Sequence, residues 1–345
     1  MMKPSTYVSF AYHTLRMHAS RRYRVPFTVN VQLLLKCPFA CLYCPQDHHA
    51  PDSLPLDALK GIFDDARALG GRRIHLTGGE PMLRTDLPEI IGHAKKLGFF
   101  VSLTTSGVRV DSQLDTIRML DQVQLSFDGP DEARGLLRGD AASKTAQKAV
   151  DTFKQHGVYF WTSTVLTRAN IQHIDWIVDH AREHDTQANF VLMENHPEDW
   201  TDADPMPDEA RDIVPSAEEN RAALRHLIEL KRAGAPIGSS TPYLQELLEW
   251  KDYGVLTSPE RSGRYKCMAP QSQCEILANG DLHICDWTLQ RGAAVSVLEH
   301  GFRGAWERLP TPSNCNSCYS ACYLESNLMF SLNPRTLMNW ASRLR

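Results

Sequence analysis

The octapeptide CPFACLYC at positions 37–44 sets three thiols in the spacing C-x3-C-x2-C, directly after an apolar run, FTVNVQLLL (27–35), that reads as a strand. Loops that leave the C-terminal ends of parallel strands are where α/β folds build their sites. Three thiolates suit an iron–sulfur cubane with one iron left without a protein ligand. They would also suit a structural zinc, with His48 or His49 as the fourth ligand.

Reading outward from 37–44, apolar strands and amphipathic helices alternate. LDALKGIFDDARALG (56–70) has helical spacing and stops at Gly70, and RRIHLTGG (72–79) is a strand. DLPEIIGHAKKLG (86–98) is a helix between Asp86 and Gly98. Strands follow at 99–107, 122–127, 158–166 and 188–193, with helices near 111–119, 141–156 and 171–184. This alternation predicts a parallel sheet with crossover helices. It breaks at the Pro- and acid-rich stretch 194–216, an expected irregular loop, and a helix is expected at 217–233.

The rest of the composition is that of an ordinary soluble protein, 42% hydrophobic and 23% charged with net charge −4. Nothing in that balance points to nucleic acid. No apolar run approaches the roughly 20 residues of a membrane span, and no signal peptide is evident. Nine cysteines is a high and odd count, with three at 37–44 and six between 267 and 322. Such clustering fits metal thiolates in a reducing compartment better than a disulfide scaffold, so a cytoplasmic location is expected.

With Tyr43 before its last cysteine, the triplet resembles the radical S-adenosylmethionine (SAM) superfamily. TGGEP (77–81) at the end of the second strand resembles that family's methionine-binding motif. The resemblance implies a partial (β/α)6 barrel. It also implies a [4Fe–4S] cluster on Cys37, Cys41 and Cys44, whose open iron chelates SAM. Gly78 and Gly79 would let backbone approach the ligand, and Glu80, followed by Pro81, would receive its amino group. Thr105 and Ser106, and Ser126 and Asp128, sit at the next strand ends and would bind ribose and carboxylate. Thr164, Arg168 and Asn170 are weaker candidates, and each of these polar residues could instead be a cap or turn.

Cys267 is followed by twelve residues, Gly280, four residues and Cys285, and then by CNSCYSAC (315–322). This resembles the SPASM and twitch extensions of radical SAM enzymes, which hold auxiliary Fe–S clusters, and it implies one auxiliary [4Fe–4S] cluster. Cys267, Cys285, Cys315 and Cys318 fit the twitch pattern, while Cys274 and Cys322 offer an alternative set or a spare thiol. A zinc ribbon would also accommodate C-x2-C. The tail shares a shorter likeness with adenosylhopane synthase relatives.

The expected organisation is a basic amphipathic segment (1–26), the barrel (27–235), a helical linker (236–256), a separate cysteine-rich SPASM/twitch module (257–326) and a C-terminal amphipathic helix (327–345). A reductant such as flavodoxin or ferredoxin is implied. Cys37 arrives too early for the leader-binding domain common in peptide-modifying members, so a small-molecule or lipid substrate is expected, with a peptide maturase or a non-catalytic Fe–S or zinc scaffold as alternatives. Glu194 and His196 are candidate substrate contacts. Residues 1–46 and 326–345 contain no Asp or Glu, which suggests peripheral contact with an anionic membrane.

Overall fold

The computed structural model describes residues 4–46, 49–194, 207–285, 294–311 and 315–342. Helix α1 (Pro4–Ala19) precedes β1 (Thr28–Gln32), α2 (Leu56–Ala68), β2 (Arg73–Thr77), α3 (Leu87–Lys96), β3 (Phe100–Thr105), α4 (Leu114–Arg118) and β4 (Gln122–Ser126). Then come α5 (Asp131–Arg138), α6 (Asp140–Gln155), β5 (Phe160–Leu166), α7 (Ile174–Glu183) and β6 (Gln187–Leu192). The six strands pair in parallel and in sequence order. This is the expected partial barrel.

Burial explains the alternation within the strands. Ile74, Leu76, Val101, Leu103, Val123 and Leu125 are buried in one cluster with Leu59, Ile62, Phe63 and Ala66 of α2. Those four helical residues recur at the spacing of one helix face. Complete burial of a side chain such as Phe63 contributes about 1.5–3 kcal/mol. The opposite face of the sheet carries polar residues in register: Asn30 beside His75, Thr104 beside Gln124, and Ser126 beside Ser163. Parallel strands packed on both faces usually read as continuous apolar runs. RIHLT and QVQLS alternate because one of their faces lines the barrel interior.

Beyond β6 the chain forms α8 (Asp208–Asp212), α9 (Ala217–Arg232), α10 (Thr241–Glu249), β7 (Thr257–Ser258), α11 (Ala269–Ser272), β8 (Gln273–Ile276) and β9 (Asp281–His283). β10 (Val295–Ser296), α12 (Val297–Arg308), β11 (Ser317–Cys318), α13 (Ala321–Phe330) and α14 (Pro334–Ser342) complete it. Ser216 and Glu219 start α9 with reciprocal side-chain-to-backbone hydrogen bonds.

Three features differ from the sequence reading. First, the cysteine-rich segment is joined to the barrel sheet. β8 pairs parallel to β1, with Val29 beside Cys274, and β9 and β10 extend the sheet to the order β10-β9-β8-β1-β2-β3-β4-β5-β6. The Asn279-Gly280-Asp281 turn does form a hairpin, with Gly280 at φ 91°. Second, α5 is an extra helix. No element was expected between 127 and 141, yet Ala133, Arg134 and Leu137 are buried on it. Third, the C-terminal segment is two helices. Leu332 adopts φ 59° between them and Pro334 begins the second.

Candidate active site

The Cys37–Cys44 loop leaves the C-terminal end of β1 and is held from two sides. On one side lies the turn after β2. Gly79 N–H donates to the Leu34 carbonyl at 2.7 Å and Glu80 N–H to the Lys36 carbonyl at 3.0 Å. A Cβ on Gly79 would lie 2.2 Å from the Leu35 oxygen and 2.3 Å from that of Lys36. One on Gly78, whose φ is 145°, would lie 2.5 Å from the Leu34 oxygen. The two glycines therefore admit the chain that leads into the thiol loop, and their close approach is to backbone.

Glu80 is fully buried. One carboxylate oxygen accepts from Met82 N–H at 3.0 Å and from the Thr105 hydroxyl at 2.8 Å. The other accepts from Ser106 N–H at 2.8 Å and from the Ser106 hydroxyl. Burial raises its pKa, and the bonds from Ser106, Met82 and Thr105 oppose that rise. The sequence reading aimed this carboxylate at the SAM amino group. In the structure it instead ties the end of β3 to the turn after β2, and its acceptor positions are filled. Pro81 begins a buried single turn beside it.

On the other side lie β4 and α5. Asp128 is fully buried. It accepts from the Tyr43 hydroxyl at 2.6 Å, from Val165 N–H at 2.9 Å and from Arg138 Nε. Leu42 N–H donates to the Leu137 carbonyl at 2.9 Å, and Arg138 Nη1 lies 3.8 Å from Cys41 Sγ. Burial pushes the Cys41 thiol up to about 11, while Arg138 pulls it down. Cys37 and Cys44 are likewise raised by burial and lowered by Arg138. Asn170 is also fully buried and bonds the Asp128 carbonyl at 3.3 Å and that of Val165 at 2.8 Å, a structural role. Thr164 bonds the Phe127 carbonyl and Arg168 pairs with Glu219. Ser126 closes β4 beside Ser163.

The second set of thiols lines one pocket. Its wall includes Cys267, Cys285, Cys315 and Cys318, together with Thr257, Ser320 and Tyr323. Tyr265 clamps Cys318, accepting from its N–H at 2.9 Å and donating to its carbonyl at 2.8 Å. Asn327 Nδ2 lies 3.8 Å from Cys267 Sγ. Burial pushes the Cys267 thiol up to about 12, and Asn327 pulls it back.

No disulfide joins any of the nine cysteines. Among the described residues no group of three His, Cys, Asp or Glu side chains is already set to hold a metal ion. Three thiols grouped around a cation, and four around a pocket, are donor sets suited to an iron–sulfur cluster.

The sequence matches the Radical SAM superfamily over residues 31–181. Most of the barrel lies within that match. A protein named PqqA peptide cyclase, from Streptomyces rochei, is 34% identical over 161 residues, which span 45% of this chain and 44% of that relative. The chain therefore matches about half the length of this curated relative. Among solved structures, Streptococcus suis SuiB bound to precursor peptide SuiA aligns over 88% of this chain and 69% of its own, with TM-score 0.66 and 16% identity. The structure of anSMEcpe with bound AdoMet aligns over 92% and 98%, with TM-score 0.62 and 17% identity. At these identities the solved structures show a shared fold. It extends well past the radical SAM barrel.

In the structure most of the sequence-derived candidates come together. Cys37, Cys41, Cys44, Tyr43, Gly78, Gly79, Glu80, Pro81, Thr105, Ser106, Ser126 and Asp128 lie at or beside neighbouring strand ends. Two of the alternative thiols do not join the four-thiol pocket. Cys274 is fully buried within β8 in the main core. Cys322 lies on α13, outside the pocket wall, near Arg73 and Tyr243. His196 lies outside the described residues, while Glu194 lies near Tyr243. His75 is structural, 2.9 Å from Ser102 Oγ and 3.2 Å from Thr104 Oγ1. Arg138, Tyr265 and Asn327 were missed. Arg138 had no sequence signal, because it lies on α5, where no helix was expected. Asn327 had none, because it reaches Cys267 across 60 positions.

Proposed function

We propose that this radical SAM enzyme modifies a peptide, with Cys37, Cys41 and Cys44 holding the SAM-binding [4Fe–4S] cluster and Cys267, Cys285, Cys315 and Cys318 holding one auxiliary cluster. The observation that carries the assignment is the meeting of three thiols, a buried guanidinium and the Gly78-Gly79 turn at the strand ends. A [4Fe–4S] cluster held there and reduced by a low-potential electron carrier would supply the electron for reductive cleavage of SAM to a 5′-deoxyadenosyl radical.

The chain's own groups prepare that site. Gly79 lets the turn after β2 press on the thiol loop. Glu80 fixes Thr105 and Ser106 at the adjacent strand end, and Asp128 fixes Tyr43 and Arg138. The three thiols are half-buried at the mouth of the barrel. The name of the relative from Streptomyces rochei supports a peptide substrate over the small molecule or lipid expected from the position of Cys37.

Anaerobic reconstitution should give about eight irons per chain, two cubanes, and changing Cys37, Cys41 and Cys44 together to Ala should leave about four. Dithionite and SAM should then release 5′-deoxyadenosine from the unaltered protein. Tightly bound zinc without iron would overturn the assignment.

Peripheral membrane contact has one observation in its favour. Among the described residues no helix is long and apolar enough to cross a membrane. Helix α1, however, exposes Val8 at 71%, Tyr12 at 51% and Leu15 at 65%, with Arg16, Arg21 and Arg22 exposed nearby. Its other face packs Met17 beside Phe27 and Phe330. Each basic residue at an anionic surface adds about 1 kcal/mol. Co-sedimentation with anionic vesicles at low salt, lost at high salt, is the expected result.

A further inference from the structure

Arg138 is the last residue of α5, and nothing in its sequence position marks it for the site. Its side chain is only 9% exposed and that of Asp128 is fully buried. The guanidinium is fixed on three sides. Nε donates to Asp128 Oδ2, the Tyr43 ring lies 5.3 Å beneath its central carbon, and Nη1 points to Cys41 Sγ at 3.8 Å. Asp128 is itself fixed by Tyr43 and by the backbone of Val165. The fork is therefore held against Cys41.

We propose that Arg138 sets the reduction potential of the cluster held by Cys37, Cys41 and Cys44, by placing a fixed cation and an N–H donor beside Cys41. The proposal rests on the cluster assignment above. Reduction adds one negative charge to the cluster. A nearby cation stabilises the charged product, and the more so where water is excluded. Hydrogen bonds to sulfur, net charge and solvent exposure are the levers by which a protein moves such potentials. Asp128 works against Arg138, since its own charge is close by, while holding the guanidinium in place. Arg138 is thus a positioning and tuning residue. It makes the first electron transfer less demanding of the external reductant.

The test is a redox titration of the reconstituted full chain followed by EPR, reading the signal that SAM perturbs, because that signal marks the cluster with the open iron. Arg138→Gln is expected to move the midpoint negative, lowering the reduced-to-oxidised ratio at fixed potential by about tenfold, or about 59 mV. Arg138→Lys should move it less and in the same direction. Asp128→Asn should move it positive, because it removes the opposing charge. A merely structural pair would not give opposite signs. Should Arg138→Gln fail to load iron, the lysine and Asp128→Asn variants carry the test by the same signs. Iron-loaded Arg138 variants with an unaltered midpoint, or an Asp128→Asn shift in the same direction as Arg138→Gln, would overturn the proposal. Failure of the underlying assignment looks different: the Cys37/Cys41/Cys44 triple variant would keep its full iron and its SAM-perturbed signal.

Discussion

Replacing Glu80 separates two roles for one carboxylate. Its oxygens accept from Met82 N–H, Thr105 hydroxyl, Ser106 N–H and Ser106 hydroxyl. In Glu80→Gln the amide oxygen can keep the Met82 and Thr105 bonds. The amide nitrogen then faces two donors. The Ser106 hydroxyl can rotate, but its backbone N–H cannot, so one group loses its acceptor at a cost of about 1–3 kcal/mol. In Glu80→Ala the N–H groups of Met82 and Ser106 both lose their acceptor, which doubles that cost to about 2–6 kcal/mol. That is a large share of the roughly 5–15 kcal/mol that holds a domain together. Urea unfolding of the reduced, iron-free chain should therefore rank wild type above Gln and Gln above Ala, with an unchanged slope. SAM affinity should fall in both variants, because Ser106 loses support in each and Thr105 loses it as well in Glu80→Ala. If Glu80→Gln kept wild-type stability and lost only SAM binding, the ligand would be the carboxylate's partner and the strand-end tie would be wrong.

Gly79→Ala should cost the first cluster, because the new methyl meets the Leu35 and Lys36 carbonyls at 2.2 and 2.3 Å and must displace the thiol loop; iron should drop to about four per chain, the content of one cubane. Cys274→Ala should leave iron content intact, whereas Cys318→Ala should remove the auxiliary cluster; equal iron loss in both would return Cys274 to the ligand set. Stability should also depend on pH below neutrality. Burial lowers the pKa of His13 and His180 from 6.5 to about 4 and that of His75 to about 3. The unfolded chain therefore takes up protons that the native chain refuses. Stability is full above pH 6.5 and lost as pH falls toward 4. A urea midpoint that stayed flat between pH 7 and 5 would contradict this, and His180→Gln should remove part of the slope.

The parallel strands and most crossover helices were legible because one sheet face packs on helices and the other faces the interior, so Ile74 and Leu76 alternate with Arg73, His75 and Thr77. Cysteine spacing marked both thiol sets, and it separated Cys267, Cys285, Cys315 and Cys318 from Cys274 only as one choice among two. What sets Cys274 apart from the other four in the structure is its pairing with Val29, a long-range contact without a local pattern. A second partner for Gly78 and Gly79 was hidden for a similar reason. Sequence identifies a backbone that permits close approach, but the approaching atoms belong to residues 34–36. Helix α5 was hidden by its glycines, and Arg138 with it. The two C-terminal helices read as one because their composition is uniform and the break is a single residue in a left-handed conformation.

The insertion of β8 beside β1 has a consequence for how the chain is made. β1 leaves the ribosome long before β8, and it waits until residue 276 is synthesised before its second neighbour exists. During that interval one edge of the nascent sheet stands open, with the backbone groups of Thr28–Val31 available to any extended partner. A ribosome stalled near residue 256 would hold a chain with all six barrel strands and an uncovered first strand. Such a chain should aggregate or recruit chaperones, whereas one arrested after residue 300 should not. The strand that follows Cys267 thus also shields the newborn barrel at its first edge.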